Sequence, residues 1–350
     1  MFAYVGSFTT ANRKARGNGI NVFRVDPATG TWTHVQHVGD LVNPSFLVLS
    51  HDRRFLYAVH GDVDYATAFA LDPATGHARP IGRAATGGLN GVKQDFDRAG
   101  RFLVVANYIA GNVAVLAVKP DGALADQHDL LPLTGPLGTH RTEQTRPHPH
   151  DVVFDPARRF VLIPDKGLDT VFVLRFDDAT GRIALHCQMR ARPGAGPRHA
   201  AFHPALSVAY VCNELDSTVM ACRWDAEAGT LAPLQVVASL PEDFVGANTT
   251  SELAISRDGR FVYCSNRGHD SIAIYAVDPA SGRLAAVGWE KSQGRDPRYI
   301  GIEPNGRFLY AANEQGDSIV TFALDAASGR LTPTGQVIPL GSPVTIAFTR

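Results

Sequence analysis

Short runs of β-branched and aromatic residues alternate along the chain with clusters of Pro, Asn, Asp and Gly. The clearest example is residues 296–329, where apolar runs at 299–302, 308–312 and 319–324 are separated by turn sequences. A fourth run follows and ends near residue 338. Apolar runs of this length between turn residues are typical of β-strands joined by tight reversals. The segment therefore predicts one four-stranded antiparallel meander.

Two independent sequence markers indicate that this meander is repeated. A turn that ends in Gly joins the third and fourth runs of each copy, at 26–30, 72–76, 119–122, 177–181, 225–229, 278–282 and 325–329. The residue that opens the second run also recurs, as Phe2, Phe55, Phe102, Phe160, Val208, Phe261 and Phe308. Both markers give seven copies, and a repeat of this length decides the architecture before any local assignment does.

Seven such meanders predict an all-β fold, a seven-bladed β-propeller with four-stranded antiparallel blades. A small sheet cannot bury both of its faces alone, whereas radially stacked sheets cover one another and leave only short edges. The chain begins with a second strand near Phe2, and the missing inner strand is found at 343–348. We therefore expect the N- and C-terminal strands to close one blade. Residues 1–350 should form a single β-propeller domain.

Composition and charge narrow the choice of partners. The formal net charge is -1, so the chain has no general attraction for nucleic acid or for anionic membranes. Its four cysteines lack metal-ligand spacing and predict free buried thiols in a reducing compartment. The N-terminal segment has no basic start, and no apolar run approaches the roughly 18 residues of a membrane span. We expect a soluble, cytoplasmic protein, a monomer or a weak homo-oligomer, with no nucleic-acid or membrane partner.

The repeat assigns the candidate chemistry to one face of the propeller. We call it the top face, where the inner strands begin and the second strands end. The long connections at 6–19, 131–147 and 241–250 all lie there, and rigid scaffolds present binding loops in such insertions. Counting from the markers places six ionisable residues around the channel mouth: His150, Lys166, Arg198, Glu214, Arg267 and Arg298. A structural repeat does not need such a ring, so we interpret it as a binding and catalytic site.

Several neighbours of this ring have simpler interpretations. Asn recurs at the end of the second strand, as Asn107, Asn213, Asn266 and Asn313, where it commonly makes turns. Asn107 is nevertheless retained as a candidate substrate ligand. His199 either contacts the substrate or fills space beside the mouth, and Arg298 is the ring member whose role is most simply that of filling the channel.

A second group of polar residues near the mouth favours structural roles. Lys93 and Glu252 are placed to pair across the channel as a structural bridge. Asp151 and Arg158 have the simpler interpretation of anchoring a blade. His148 lies one residue before Pro149, the aligned start of the inner strand, which predicts a lone surface histidine.

Three motifs closely resemble the bacterial lactonase family of seven-bladed propellers: GAGPRH at 194–199, FHP at 202–204 and VCNEL at 211–215. That family includes the cycloisomerase-type 6-phosphogluconolactonases and the fungal carboxymuconate lactonizing enzyme. The similarity covers essentially the full chain, including YVGS at 4–7. By this resemblance the family's catalytic histidine falls on His150, with its arginine and glutamate on Arg198 and Glu214 and a further arginine on Arg267.

The resemblance implies hydrolysis of a sugar-acid lactone, with 6-phosphoglucono-1,5-lactone, which gives 6-phosphogluconate, as the favoured substrate. Hydrolysis needs a base for water and a positive group for the oxyanion. We expect His150 or Glu214 to be the base, with the other completing proton transfer. Arg198 shares in catalysis, and its fork, with that of Arg267, suits an anionic substrate. The expected substrate-binding residues are Arg267, Arg298, Lys166, His199 and Asn107.

Other functions remain open at this point. Neither a metal nor a cofactor is expected; a calcium site would use oxygens of Glu214, Asn213 and Asn266, but the nearby arginines oppose a cation. A lactonizing cycloisomerase of the 3-carboxy-cis,cis-muconate type would need the same residues. A non-catalytic ligand-binding propeller is a third possibility. A WD-repeat scaffold is disfavoured because the chain has a single Trp-Asp pair, Trp224-Asp225.

Overall fold

The structure is a computed structural model that describes residues 1–349, which form seven four-stranded antiparallel sheets. The first blade, from its inner strand outwards, consists of β28 (Pro343–Phe348), β1 (Phe2–Ser7), β2 (Ile20–Val25) and β3 (Trp32–Val38). The second consists of β4 (Pro44–Leu49), β5 (Phe55–His60), β6 (Tyr65–Leu71) and β7 (Ala78–Ala85). The third consists of β8 (Gly91–Phe96), β9 (Phe102–Asn107), β10 (Asn112–Val118) and β11 (Leu124–Pro132).

The remaining four blades follow the same order. The fourth consists of β12 (Val153–Phe154), β13 (Phe160–Asp165), β14 (Thr170–Asp177) and β15 (Arg182–Arg190). The fifth consists of β16 (Pro197–Phe202), β17 (Val208–Asn213), β18 (Thr218–Asp225) and β19 (Thr230–Ala238). The sixth consists of β20 (Thr249–Ile255), β21 (Phe261–Arg267), β22 (Ser271–Val277) and β23 (Leu284–Lys291). The seventh consists of β24 (Pro297–Ile302), β25 (Phe308–Asn313), β26 (Ser318–Leu324) and β27 (Leu331–Pro339).

This arrangement confirms the predicted seven-bladed β-propeller and its closure. The inner strand β28 pairs antiparallel with β1, with Tyr4 opposite Ala347 and Val5 opposite Ile346. Inner strands of neighbouring blades also contact one another. A single 3₁₀ turn, Ala11–Arg13, lies in the long connection between β1 and β2.

The hydrophobic core is divided among the interfaces between neighbouring blades. Because side chains alternate across a strand, β13 sends Val161 and Ile163 towards the third blade and Phe160 and Leu162 towards the fifth. The four cysteines are free, as predicted; three are buried and Cys187 is partly exposed. Each blade therefore depends on both of its neighbours for burial.

The glycine turns predicted as simple reversals also hold the blades together. Gly229 has a φ of +65°, and a Cβ at that position would lie 2.4 Å from the ring of Phe160 in the preceding blade. The same contact closes the propeller, where a Cβ on Gly30 would lie 3.2 Å from Phe308. Arg158 Nη1 lies 3.2 Å from an Asp95 carboxylate oxygen in the third blade, which agrees with its predicted anchoring role.

A bulge at the start of the inner strand positions the candidate site residues. In β16, Pro197 is opposite Asn213 while His199 is opposite Cys212, so Arg198 has no partner in the ladder. The same register shift leaves Arg298 unpaired in β24. A bulge re-aims the side chain of its extra residue. One recurring backbone irregularity therefore delivers side chains from successive blades to the channel mouth.

Candidate active site

The inner strands open into one cavity of about 300 Å³ at the top face. Each blade contributes a residue from the start of its inner strand or from the segment just before it: Val344, Ser45, Val92, His150, Arg198, Glu252 and Arg298. Ends of the second strands and the loops after them add Tyr108, Lys166, Glu214 and Arg267. All six residues of the predicted ring line this cavity, and His199 lies in its wall as well.

Asn107 is the sequence-predicted site residue that lies outside the cavity lining. Its fully buried amide donates to Thr86 O and to Asn112 Oδ1, both at 2.8 Å. Asn213 makes an equivalent contact to Thr218 Oγ1 at 2.9 Å. These contacts agree with the turn-making interpretation of the recurring Asn, because each amide ties the end of a second strand to the strand that follows.

Glu214 lies at the centre of a cluster of cations. Its Oε2 is 2.7 Å from Arg198 Nε and 3.3 Å from Arg267 Nη2, and its Oε1 is 3.2 Å from Lys166 Nζ. Burial alone would raise the pKa of this carboxyl, but Arg267, Lys166 and Arg198 together hold it well below its ordinary value. Lys166 also contacts Glu143 at 2.8 Å. Glu214 is therefore ionised and already engaged by three positive groups.

Two neutral imidazoles lie beside this cluster. His150 Nδ1 is 3.2 Å from His199 Nε2, and the two rings meet edge to face. Burial, reinforced by Arg198, lowers the pKa of both histidines well below the usual value. Tyr108 packs edge to face on His150 with ring centroids 5.3 Å apart. A neutral imidazole in such a cavity can accept a proton from water.

A polar layer lies behind the histidines and confirms the predicted bridge across the channel. Lys93 Nζ is 3.4 Å from Glu252 Oε2 and 3.8 Å from Asp151 Oδ1. The other oxygen of Glu252 lies 2.7 Å from His199 Nδ1. Asp151 accepts a hydrogen bond from the backbone N–H of Ala200 at 2.9 Å, which agrees with an anchoring role.

A second cluster of positive charge lies at the cavity rim, and the long connection after β1 contributes one of its two arginines. Arg298 and Arg13 pack on the Phe8 ring, 5.0 and 4.3 Å from its centroid. Arg298 lies 3.4 Å from Glu314, and Arg13 binds Asp62 through two contacts of 2.6 and 2.7 Å. Burial lowers the pKa of Arg298 to about 10; Glu314 opposes the shift, and nearby arginines add to it. Sequence reasoning flagged this connection but missed Arg13, because the insertion has no repeat against which to align its residues.

The predicted surface position of His148 is wrong. Its residue is only 6% exposed, and its ring stacks on Tyr108 with centroids 4.2 Å apart and planes 14° from parallel. Its backbone N–H lies 3.0 Å from both carboxylate oxygens of Asp165, whose pKa burial raises to about 7. The N–H of His150 donates to Pro164 O at 2.9 Å. His148 thus belongs to the support that fixes the segment carrying His150.

Two further features of the described chain bear on its chemistry. Within residues 1–349, no three His, Cys, Asp or Glu side chains converge in an arrangement that could hold a metal ion. In the same part of the chain, no helix has both the length and the apolar character needed to cross a bilayer.

Comparison with known proteins finds relatives that match most of the chain. A family model described as "Lactonase, 7-bladed beta-propeller" matches residues 2–348. The chain is 33% identical over 304 residues to the 6-phosphogluconolactonase of Bacillus subtilis, covering 86% of this chain and 84% of that protein. It is 31% identical over 314 residues to the 6-phosphogluconolactonase of Formosa agariphila, covering 86% of each.

A solved structure of a periplasmic gluconolactonase from Pseudomonas aeruginosa superposes with a TM-score of 0.92. The two sequences are 32% identical, and the match covers 100% of this chain and 99% of that one. The seven-bladed fold agrees with the family match, which spans residues 2–348. The chain therefore belongs to the lactonase family of seven-bladed β-propellers.

Proposed function

We propose that this protein hydrolyses a sugar-acid lactone, with 6-phosphoglucono-1,5-lactone as substrate and 6-phosphogluconate as product. The observation that carries the proposal is the charge of the cavity. Among residues 1–349, six cationic side chains and three carboxylates line it: Arg13, Lys93, Lys166, Arg198, Arg267 and Arg298 against Asp62, Glu214 and Glu252. A cavity with excess positive charge and neutral imidazoles suits an anionic ester that reacts with water.

His150 is the general base in this proposal. Glu214 is the poorer base because three cations stabilise its ionised form. As the water oxygen bonds to the lactone carbonyl carbon, its proton passes to His150 Nε2 and the carbonyl oxygen becomes an oxyanion. When the carbonyl re-forms, the bond to the ring oxygen breaks, and the imidazolium returns the proton to that oxygen. The net change is the addition of one water, and His150 ends neutral.

Arg198 stabilises the oxyanion, with Glu214 fixing its orientation. The Arg198 side chain is 2% exposed; its Nε forms an ion pair with Glu214 at 2.7 Å, and its Nη1 donates a hydrogen bond to Ser251 O at 2.5 Å. Its Nη2 has no hydrogen-bond partner among residues 1–349 and is therefore available to the substrate. A pre-oriented charged donor costs no reorganisation during the reaction.

The phosphate end of the substrate is assigned to Arg298 and Arg267, with Lys166 contributing positive charge. Guanidinium groups match the geometry of phosphate oxygens. Arg298 supports this assignment because its charge is only partly exposed and is repelled by nearby arginines, and a dianionic ligand would offset that repulsion. The scheme requires no metal, and the proton steps involve side chains alone.

The test is hydrolysis of freshly generated 6-phosphoglucono-1,5-lactone, corrected for spontaneous opening, with and without a chelator. Unphosphorylated gluconolactone and a 3-carboxymuconate are assayed beside it. We expect chelator-resistant turnover with the highest kcat/KM on the phosphorylated lactone. Turnover of the carboxymuconate alone would assign the site to a lactonizing cycloisomerase. Loss of activity on chelation would overturn the metal-free scheme, and no turnover of any lactone would overturn the hydrolase proposal.

A further inference from the structure

Three side chains from consecutive blades form a hydrogen-bonded chain that leads away from the reacting centre. Glu252 in β20 contacts His199 in β16, and His199 contacts His150 in the segment before β12. The two links are 2.7 Å, from Glu252 Oε1 to His199 Nδ1, and 3.2 Å, from His199 Nε2 to His150 Nδ1. All three residues are buried. The chain crosses two blade interfaces, so no single blade could build it.

The partners of His199 determine which of its nitrogens carries the proton. An ionised carboxylate can only accept, so Glu252 requires a proton on His199 Nδ1. Arg198 Nη1 lies at similar distances from both ring nitrogens, 3.0 Å from Nε2 and 3.3 Å from Nδ1, so this contact does not select between them. The Glu252 contact therefore places the proton of the neutral ring on Nδ1 and leaves the Nε2 lone pair as an acceptor.

The state of His150 follows from that of His199. Its Nδ1 faces the lone pair of His199 Nε2 at 3.2 Å, and two facing lone pairs would repel, so His150 Nδ1 carries the proton. In the neutral ring the remaining nitrogen, Nε2, is then unprotonated. Among residues 1–349 no hydrogen-bond partner occupies this atom, and His150 lines the cavity. Nε2 is the atom that the proposed reaction requires as a base.

We propose that Glu252 and His199 are positioning residues that hold His150 in its Nδ1–H tautomer and stabilise the imidazolium formed when water is deprotonated. The role of His150 as a base in this inference rests on the proposed lactone hydrolysis. The assigned tautomer rests only on the contacts of the two rings. The arrangement follows the logic by which a buried carboxylate orients a catalytic histidine, with one imidazole interposed. Neither residue contacts the reacting atoms.

Lys93 completes the arrangement by keeping Glu252 in place. Its ammonium group lies 3.4 Å from the oxygen of Glu252 that does not bind His199, and it packs over the Phe46 ring at 4.2 Å. Because Lys93 engages one carboxylate oxygen, the other is directed at His199 Nδ1 as an acceptor. The polar layer behind the histidines is therefore required to keep the proton of His199 on Nδ1.

The first experiment determines the tautomers directly in the wild-type protein. Long-range ¹H–¹⁵N correlation spectra of ¹⁵N-histidine-labelled protein distinguish a protonated from an unprotonated ring nitrogen. His150→Gln and His199→Gln variants assign the signals. We expect both rings neutral at pH 7, each with its proton on Nδ1. A proton on Nε2 of either ring overturns the proposal, whether or not the protein hydrolyses any lactone.

The second experiment replaces the carboxylate by its isostere, Glu252→Gln. The titratable groups that act on His150 are Arg198, His199, Glu214 and Lys166, and all are retained. Removing the negative charge makes imidazolium formation harder, so the acid limb of the kcat/KM profile should move to lower pH. We expect kcat to fall roughly 100-fold, with KM little changed because both oxygens of Glu252 are already engaged, one by His199 and the other by Lys93.

The matched control is Asp62→Asn, which removes one carboxylate charge from the same cavity lining but contacts Arg13 rather than a histidine. Its acid limb should remain at the wild-type pH. An unshifted limb in Glu252→Gln, or an equal shift in both variants, contradicts the positioning role. If Glu252→Gln fails to fold, the wild-type spectra still decide the question. If the wild type hydrolyses no lactone, the proposed function falls and the spectra test the tautomers alone.

Discussion

Replacing Glu214 by Gln should destabilise the folded protein through the charge that it leaves uncompensated. The substitution keeps the size of the side chain, so it creates no cavity. Lys166 retains Glu143 at 2.8 Å, and Arg267 retains Asp296 at 4.0 Å. Arg198, 2% exposed, loses the carboxylate that lies 2.7 Å from its Nε. Removing one member of a buried ion pair costs about 3–5 kcal/mol, and we expect the free energy of unfolding to fall by that amount.

Thermal unfolding followed by circular dichroism measures the loss. An unfolding entropy of about 2.1 cal/mol/K per residue gives about 0.7 kcal/mol/K for a chain of 350 residues. A loss of 3–5 kcal/mol then lowers the melting temperature by about 4–7 °C. The exposed residue Glu227, in a turn on the opposite face, provides the control Glu227→Gln, which should change stability by less than about 0.5 kcal/mol.

The pH dependence of this loss of stability distinguishes an effect of the Glu214 charge from an effect of side-chain packing. The folded pKa of Glu214 is depressed well below its ordinary value of 4.5. Its contribution is therefore complete above the unfolded pKa and is lost as pH falls through the folded pKa. The difference between wild type and Glu214→Gln should be constant from pH 7 to about pH 5.5 and shrink below about pH 4.5. An unchanged melting temperature at pH 7, or a difference that grows on acidification, would refute the reasoning.

Three further measurements test other parts of the structure. His150→Ala should lower turnover roughly 100-fold or more with an unchanged circular dichroism spectrum, and near-normal activity would remove it from the mechanism. Arg298→Met should raise KM for the phosphorylated lactone about 10- to 100-fold and spare gluconolactone, whereas equal effects would exclude phosphate binding. Gly229→Ala, with its Cβ 2.4 Å from Phe160, should lower the free energy of unfolding by about 1–3 kcal/mol more than Gly335→Ala, where a Cβ meets no atom within 4 Å. Equal decreases would mean that the contact between blades at Gly229 does not contribute to stability.

The fold could be predicted because its determinants recur along the chain. Every blade has one glycine turn and one apolar residue that opens its second strand, so the two markers give the same count. In the structure the glycine turn of one blade packs on the marker residue of the preceding blade, as Gly229 does on Phe160. Because the inner strands and the turns after them have nearly constant length, counting residues back from each second-strand marker identified the residues at the channel mouth. Arg198 and Arg298 were correctly placed on the cavity lining in this way. A bulge at each of these positions was not foreseen, because it depends on strand pairing and not on residue type.

The environment of each side chain could not be predicted in the same way. His148 and Asn107 have similar sequence surroundings to exposed turn residues, yet both are buried by contacts from other blades or loops. The choice between His150 and Glu214 as base also remained open in the sequence. It depends on three cations that meet one carboxylate at 2.7 to 3.3 Å, and those cations come from three different blades.

The polar layer formed by Lys93, Asp151, His199 and Glu252 is better explained by function than by stability. These residues occupy equivalent positions in four consecutive blades, in the inner strand or, for Asp151, just before it; the other blades place Phe46, Tyr299 and Thr345 there. A buried ion pair is often no more stabilising than well-packed apolar residues, so folding alone gives no reason to bury four ionisable groups there. Lys93 instead contacts both Asp151 and Glu252, Glu252 contacts Nδ1 of His199, and the other ring nitrogen of His199 contacts His150. The free-energy cost of burying these groups is consistent with a site that must keep His150 protonated on Nδ1 and unprotonated on Nε2.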